Sequence, residues 1–237
     1  MDWSTDKNIL DEFIIFFTGK NIGILGPDSC GKTVFYTLIL EKKIKETTST
    51  DTRESSKRLN IAFFDNQGSQ KCLRIKLIFD VAGQRDIYKP KEDTFNTQEY
   101  IIYFLRSDLV MPPDREIVYR DRDIGKVRKR HELAIKQDFS NMGGWEGKNR
   151  KLIIVGNHFG QQRDGQRVAI PWQGEGECLV PNFLDEPTKN NYQREFRGIL
   201  TNMISLNKFS EVKWVVGSFA SDRLGNQLAL DIFRCLI

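Results

Sequence analysis

The sequence predicts an α/β fold: a mostly parallel sheet with one antiparallel strand and helices on both faces. Three observations carry this prediction. The short apolar run Asn21 to Leu25 ends in a glycine-containing turn and is followed by a second run, Val34 to Leu40, long enough to open a helix. Two strand-like runs, 60–65 and 72–80, flank Asn66-Gln67-Gly68-Ser69-Gln70, a composition that closes an antiparallel hairpin. Beyond Tyr100, buried strand patterns at 100–105, 151–156 and 212–217 alternate with helical spacings, the order that covers a parallel sheet on both sides.

At 237 residues, with 39% hydrophobic and 29% charged residues, the chain has room for one substantial core. It reads as a single domain, 1–237, with insertions near 112–150 and 160–187. A net charge of +4 repels no anionic ligand but does not by itself argue for nucleic acid, and none is expected as a partner. The apolar run Phe13 to Phe17 is too short for a signal-peptide core or a membrane span, so the expected location is cytoplasmic, with no transmembrane segment. Cys30, Cys72, Cys178 and Cys235 form no C-x-x-C pair, and His131 and His158 add little to a soft-metal set. A metal here is expected to be Mg²⁺ on oxygen ligands.

Taken in order, residues 8–17 have helical spacing and predict a helix docked on the sheet. The polar segment Thr47 to Arg58 follows the helix opened by Val34 to Leu40 and reads as a solvated loop or, should the turn before that helix hold a nucleotide, as a loop placed to sense it. In the second strand of the hairpin, Leu73, Ile75 and Leu77 alternate with Arg74 and Lys76, one face wet and one buried. Leu77-Ile78-Phe79 then enters the interior. The charged stretch Asp114 to about Phe139 reads as a helix with a solvated face, the run Lys126 to His131 being alternatively a partner- or lipid-binding patch; Asn141 to Trp145 ends it. Gly160 to Pro187 has little periodicity and reads as an inserted loop, Asn190 to Leu206 as a helix, and Leu224 to Ile237 as a closing helix.

Two motifs carry chemistry. Gly26-Pro27-Asp28-Ser29-Cys30-Gly31-Lys32-Thr33 fits G-x-x-x-x-G-K-[ST] at every fixed position, between a strand and a helix that continues into Val34. Backbone N–H groups of such a loop and of the helix start converge on phosphates; Lys32 reaches β/γ oxygens and the Thr33 hydroxyl ligates Mg²⁺. The second motif is Asp80-Val81-Ala82-Gly83-Gln84-Arg85 at the carboxyl end of a buried strand. There Asp80 can hold Mg²⁺, Gly83 can offer its N–H to a γ-phosphate, and Gln84 can orient water for in-line attack. Cys30 is either a reactive thiol, its pKa lowered by the helix N-terminus, or a tolerated small residue.

Together with Asn157-His158-Phe159-Gly160 and Ser218-Phe219-Ala220-Ser221, these motifs resemble, in order and spacing over 20–237, the Ras-like branch of the TRAFAC P-loop GTPases. The second motif is similar to the switch II signature of Gα and Arf-type proteins, and the insertions resemble divergent GTPase modules of bacterial conflict systems. The resemblance implies a P-loop NTPase fold and a molecular switch that binds GTP or GDP with Mg²⁺, hydrolyses the β–γ bond and engages a protein effector or activating partner. It implies Lys32 and Gln84 in catalysis, Thr33 and Asp80 on the metal, and Asn157, His158, Ser218 and Ala220 at the base, with the Ala220 N–H meeting the guanine carbonyl.

The chain departs from the family at the base motif, where N-K-x-D is expected and Gly160 replaces the carboxylate that would accept two guanine N–H donors. Asp164 is one replacement, and His158 either lies against the base or only packs. Without that carboxylate, an ATP-using NTPase or a catalytically weak, nucleotide-loaded interaction module are the alternatives. For the switch I position, Thr50, Thr52, Ser55 and Ser56 are all candidates, with Arg53 or Arg58 as a finger in cis.

Overall fold

The computed structural model describes residues 3–5, 18–41, 53–55, 58–65, 67–81, 88–112, 124–144, 150–159, 161–162 and 178–237. The strands are β1 (Trp3–Thr5), β2 (Lys20–Leu25), β3 (Arg53–Ser55), β4 (Leu59–Phe64), β5 (Gln70–Asp80), β6 (Tyr100–Arg106), β7 (Arg150–Asn157), β8 (Gln161–Gln162), β9 (Cys178–Leu179) and β10 (Phe209–Gly217). The helices are α1 (Lys32–Glu41), α2 (Tyr88–Thr97), the single turn α3 (Ser107–Val110), α4 (Ile124–Gly144), α5 (Glu186–Met203) and α6 (Asp222–Cys235). The helix expected over 8–17 lies outside the described residues.

The main sheet runs β1-β4-β5-β2-β6-β7-β10, with β3 also paired to β5. From β5 to β10 every neighbouring pair is parallel. The hairpin is present as β4 against β5, with Asp65 accepting from the Gln67 and Ser69 N–H groups inside the turn. The expected single antiparallel strand is interrupted: β3 and β4 both run antiparallel along β5, β3 beside its carboxyl end. The short edge strand β1, which pairs antiparallel with β4, is an addition.

Helices cover both faces, as expected. On one side, α1 and α6 pack on Ile22, Ile24, Leu73, Ile75, Ile78, Ile102 and Phe104, and Phe35 gathers Phe104, Phe219 and Phe233 at ring separations of 5.3, 6.4 and 6.2 Å. On the other side, Phe95 of α2, Phe139 of α4 and Phe196 of α5 pack on Ile101, Tyr103, Leu152 and Ile154. Helix α1 is buried over Val34–Ile39, which is why its sequence is a continuous apolar run instead of a stripe.

The alternation in β5 does not continue as the sequence suggests. Lys20 pairs with Ile75 but Asn21 pairs with Leu77, so Lys76 is an extra residue on β5. Such a bulge turns the following side chains over. Ile78 and Asp80 therefore join the face of Leu73 and Ile75, whereas Leu77 and Phe79 are only half-buried, not fully interior. Had the alternation run on, Asp80 would share a face with Arg74.

Two further boundaries differ. Helix α4 continues through Asn141 to Gly144 because Met142 is buried in the core, an anchor that outweighs the poor helix propensity of the glycines. Helix α5 begins at Glu186, so Pro187 belongs to its first turn and not to the inserted loop. Asp185 caps it by accepting from the Thr188 N–H at 3.0 Å. Within the stretch 160–187, β8 pairs antiparallel with β9.

Candidate functional site

Strand β2 lies between β5 and β6, so the chain goes one way from its carboxyl end through the hairpin and the other way through β6. That end is the switch point at which open α/β sheets form a crevice. The loop 26–31 occupies it. Its backbone takes positive φ at Gly26 (136°), Ser29 (55°) and Gly31 (93°), the kind of turning from which anion-binding nests of successive N–H groups are built. A Cβ on Gly26 would lie 2.0 Å from the Phe104 carbonyl oxygen, and one on Gly31 would lie 2.5 Å from Asn157 Nδ2. Both glycines are thus required by conformation and by close approach.

Lys32, at the first position of α1, folds back over the loop. Its Nζ donates to the Gly26 carbonyl at 2.9 Å and the Pro27 carbonyl at 2.6 Å, and the residue is only 5% exposed. An ammonium has three donors, so two carbonyls leave one for an anion. Burial pulls the Lys32 pKa down, and Cys30, Asp80 and Asp28 oppose that pull. Asp80, 2% exposed at the end of β5, pairs in register with Ile24, one residue short of the end of β2. Thr33 is half-buried one residue into α1, and Val34 is buried in the core. Thr33 and Asp80 supply one hydroxyl and one carboxylate oxygen, hard donors of the type that Mg²⁺ takes together with phosphate oxygens and water. Among the described residues no three His, Cys, Asp or Glu side chains cluster to hold a metal by themselves.

Asp28 and Ser29 are exposed at the loop tip. Cys30 is not: it is 1% exposed, its Sγ donates to the Asp28 carbonyl at 3.4 Å, and burial pushes its thiol up to about 12. The burial of Cys30 favours the second sequence reading, a tolerated small residue, because desolvation of the thiolate opposes the nearby Lys32 and Arg106 charges.

Asn157 joins the loop to the other end of the site. Its Nδ2 donates to the Cys30 carbonyl at 3.1 Å, and its Oδ1 accepts from the Phe219 N–H at 3.2 Å, with the side chain 1% exposed. Ser218 Oγ donates to the His158 carbonyl at 2.6 Å and accepts from the Ala220 N–H at 3.0 Å. The Ala220 N–H, expected at a base carbonyl, is thus bonded within its own loop. His158 packs among aromatic rings: it lies 6.1 Å from both Phe183 and Tyr192, it is 8% exposed, and burial lowers its pKa. Of the two sequence readings of His158, packing is the one its surroundings support.

No protein-family model matches the chain, and no curated protein matches it. Among solved structures, that of the mammalian SRP receptor is similar over 91% of this chain and 100% of that chain, at 11% identity and a TM-score of 0.48.

Of the remaining sequence candidates, Gly83, Gln84, Gly160, Asp164, Thr50, Thr52 and Ser56 lie outside the described residues. Arg53 and Ser55 are in β3, where Arg53 pairs in register with Asp80. Sequence reasoning did not single out Arg106 and Asp108. Arg106 pairs in register with Asn157, its guanidinium lies 4.4 Å over the Phe159 ring, and its Nε donates to Asp108 Oδ1 at 3.2 Å. Asp108 Oδ1 also accepts from the Phe159 N–H at 3.4 Å, fixing the segment after β7. The signal was available: Arg106 directly follows the six-residue apolar run 100–105, and Asp108 stands two residues further on.

Proposed function

We propose that the chain is a Mg²⁺-dependent GTP-binding and hydrolysing molecular switch whose nucleotide sits on the loop 26–33. The observation that carries this reading is the convergence at the carboxyl end of β2: left-handed turns at Gly26, Ser29 and Gly31, the buried Lys32, and Asp80 brought to the same face by the β5 bulge. In this reading the loop N–H groups and the third Lys32 donor bind the β- and γ-phosphates. Thr33 and Asp80 hold Mg²⁺, which neutralises charge developing on the phosphate oxygens. Asn157 keeps the loop against the segment 218–220. The Ala220 N–H meets the base by exchanging its bond to Ser218 Oγ. Gly83 and Gln84 take the γ-phosphate and the attacking water, roles resting on the sequence motif alone.

A second reading, nucleotide binding without selection for guanine, is favoured by one observation: His158 is turned into an aromatic cluster, and the residue at 160 is not a carboxylate. Phosphate release from GTP and ATP, with and without Mg²⁺, separates the readings. Mg²⁺-dependent GTP turnover that collapses in Gln84→Leu supports the switch. Turnover unchanged in that variant removes Gln84 from the mechanism, and binding without turnover leaves a nucleotide-loaded module.

A further inference from the structure

Helix α4 carries more charge on its outer side than the fold requires. Lys129 and Arg130 are exposed, with no carboxylate partner among the described residues, and Lys136 shares the same side, paired to Glu132 one turn away. Leu133 sits between them at i+4 and i+3 from Lys129 and Arg130, with 51% of its surface exposed. A singly exposed aliphatic side chain is ordinary on a protein surface; Leu133 counts here only because it stands between two cations and beside a recess.

Beside this stripe is a recess of about 210 Å³ between α3, α4 and α5, lined by Leu109, Val110, Arg128, Glu132 and Met203. Its floor is held from within: Arg128 Nε donates to the Leu109 carbonyl at 3.1 Å and its terminal nitrogen to the Asp108 carbonyl at 3.3 Å. Arg128 is therefore spent on the end of α3 and Lys136 on Glu132, and the cations left for a partner are Lys129 and Arg130. The recess and stripe lie on the face of the sheet opposite α1, so they are separate from the phosphate loop.

We propose that this surface docks a protein segment of acidic character with an aliphatic anchor, the anchor entering the recess and its carboxylates meeting Lys129 and Arg130, while Lys136 remains paired to Glu132 at the rim. The cations select the charge of the partner. The concavity selects a side chain: a bilayer is too flat to fill it, and a phosphodiester backbone has no aliphatic group to place there or against Leu133.

The test is panning of random peptides displayed on phage against the full chain, followed by affinity measurement of each recovered peptide. The variants are Lys129→Glu/Arg130→Glu and Leu133→Asp, all at exposed positions, with melting temperature and nucleotide affinity measured alongside. The expected result is a consensus of acidic residues around one or two aliphatic ones, binding that weakens with added salt, and a loss of at least about tenfold in either variant at unchanged melting temperature. Recovery of no peptide, recovery of peptides without carboxylates, or binding equal in the variants overturns it. So does binding of phosphatidylserine-containing vesicles that is lost in the same variants with no peptide recovered, which would assign the patch to a membrane. Nucleotide affinity reports separately on the phosphate loop.

Discussion

Replacing Asn157 by alanine tests the connection on which the site depends. The change removes two hydrogen bonds, from Nδ2 to the Cys30 carbonyl at 3.1 Å and from the Phe219 N–H to Oδ1 at 3.2 Å, at a residue 1% exposed. Each leaves a main-chain group without its partner, at about 1–3 kcal/mol apiece, so the chain should lose about 2–6 kcal/mol. Nucleotide affinity should fall with it, by on the order of a hundredfold, or about 2.7 kcal/mol, because the loop and the segment 218–220 are no longer fixed together. Asn157→Asp keeps an acceptor for the Phe219 N–H but sets a buried, unpaired carboxylate against the Cys30 carbonyl, and should be at least as unstable as the alanine variant. Gly31→Ala attacks the same contact from the loop side, its new Cβ falling 2.5 Å from Asn157 Nδ2. Urea unfolding followed by tryptophan fluorescence gives the stability and calorimetry the affinity. An Asn157→Ala protein with the wild-type midpoint and wild-type nucleotide affinity would refute the reasoning.

Three other outcomes follow from buried groups. His131 accepts from the Arg106 N–H through Nε2, and burial, with the nearby Arg106 charge, lowers its pKa from 6.5 to about 4 against the opposing pull of Asp108. Its neutral form is the folded one, so this stability is fully present above pH 6.5 and is lost as pH falls toward 4, by about 3 kcal/mol in all; urea midpoints across that window should drop, and less so in His131→Gln. Asp138 accepts from Lys91 Nζ at 2.7 Å and the Tyr103 hydroxyl at 2.8 Å, tying α2 to α4 across β6. Asp138→Ala, which leaves Lys91 buried and unpaired, should cost about 3–5 kcal/mol, and Lys91→Met/Asp138→Leu should recover most of it in the same denaturation assay. Under native iodoacetamide treatment the exposed Cys72 should be modified well before Cys30, as peptide mass mapping would show; equal rates would contradict the burial of Cys30.

Much of the fold was legible because its elements have strong local signals. The strands 100–105 and 151–156 are unbroken apolar runs, and the hairpin turn is marked by its glycine. The bulge at Lys76 has no such signal: Leu73, Ile75 and Leu77 alternate cleanly in sequence, and only pairing against β2 shows that the phase slips before Asp80. Strand β1 is three residues long with one large apolar side chain, too short for periodicity to register. At the site, the glycines, Lys32 and Asp80 were readable because they sit at fixed positions of short motifs, and Gly26 and Gly31 occupy the positive-φ turns that the motif requires. The direction of His158 was not, since it depends on Phe183 and Tyr192, more than twenty residues away in sequence. The same holds for Arg106, whose place beside Asn157 is set by the register of β6 on β7.

The most direct test of the central claim is calorimetric titration of the nucleotide-stripped chain with GTP and Mg²⁺, repeated with Lys32→Ala. Lys32 is held over the loop by the Gly26 and Pro27 carbonyls, so its removal deletes the buried cation that the proposed reading sets against the phosphates. Saturable binding by the wild type, weakened by at least about a hundredfold in the variant, is the predicted result. Equal affinity in both proteins, or no binding of any nucleotide by the wild type, would contradict it.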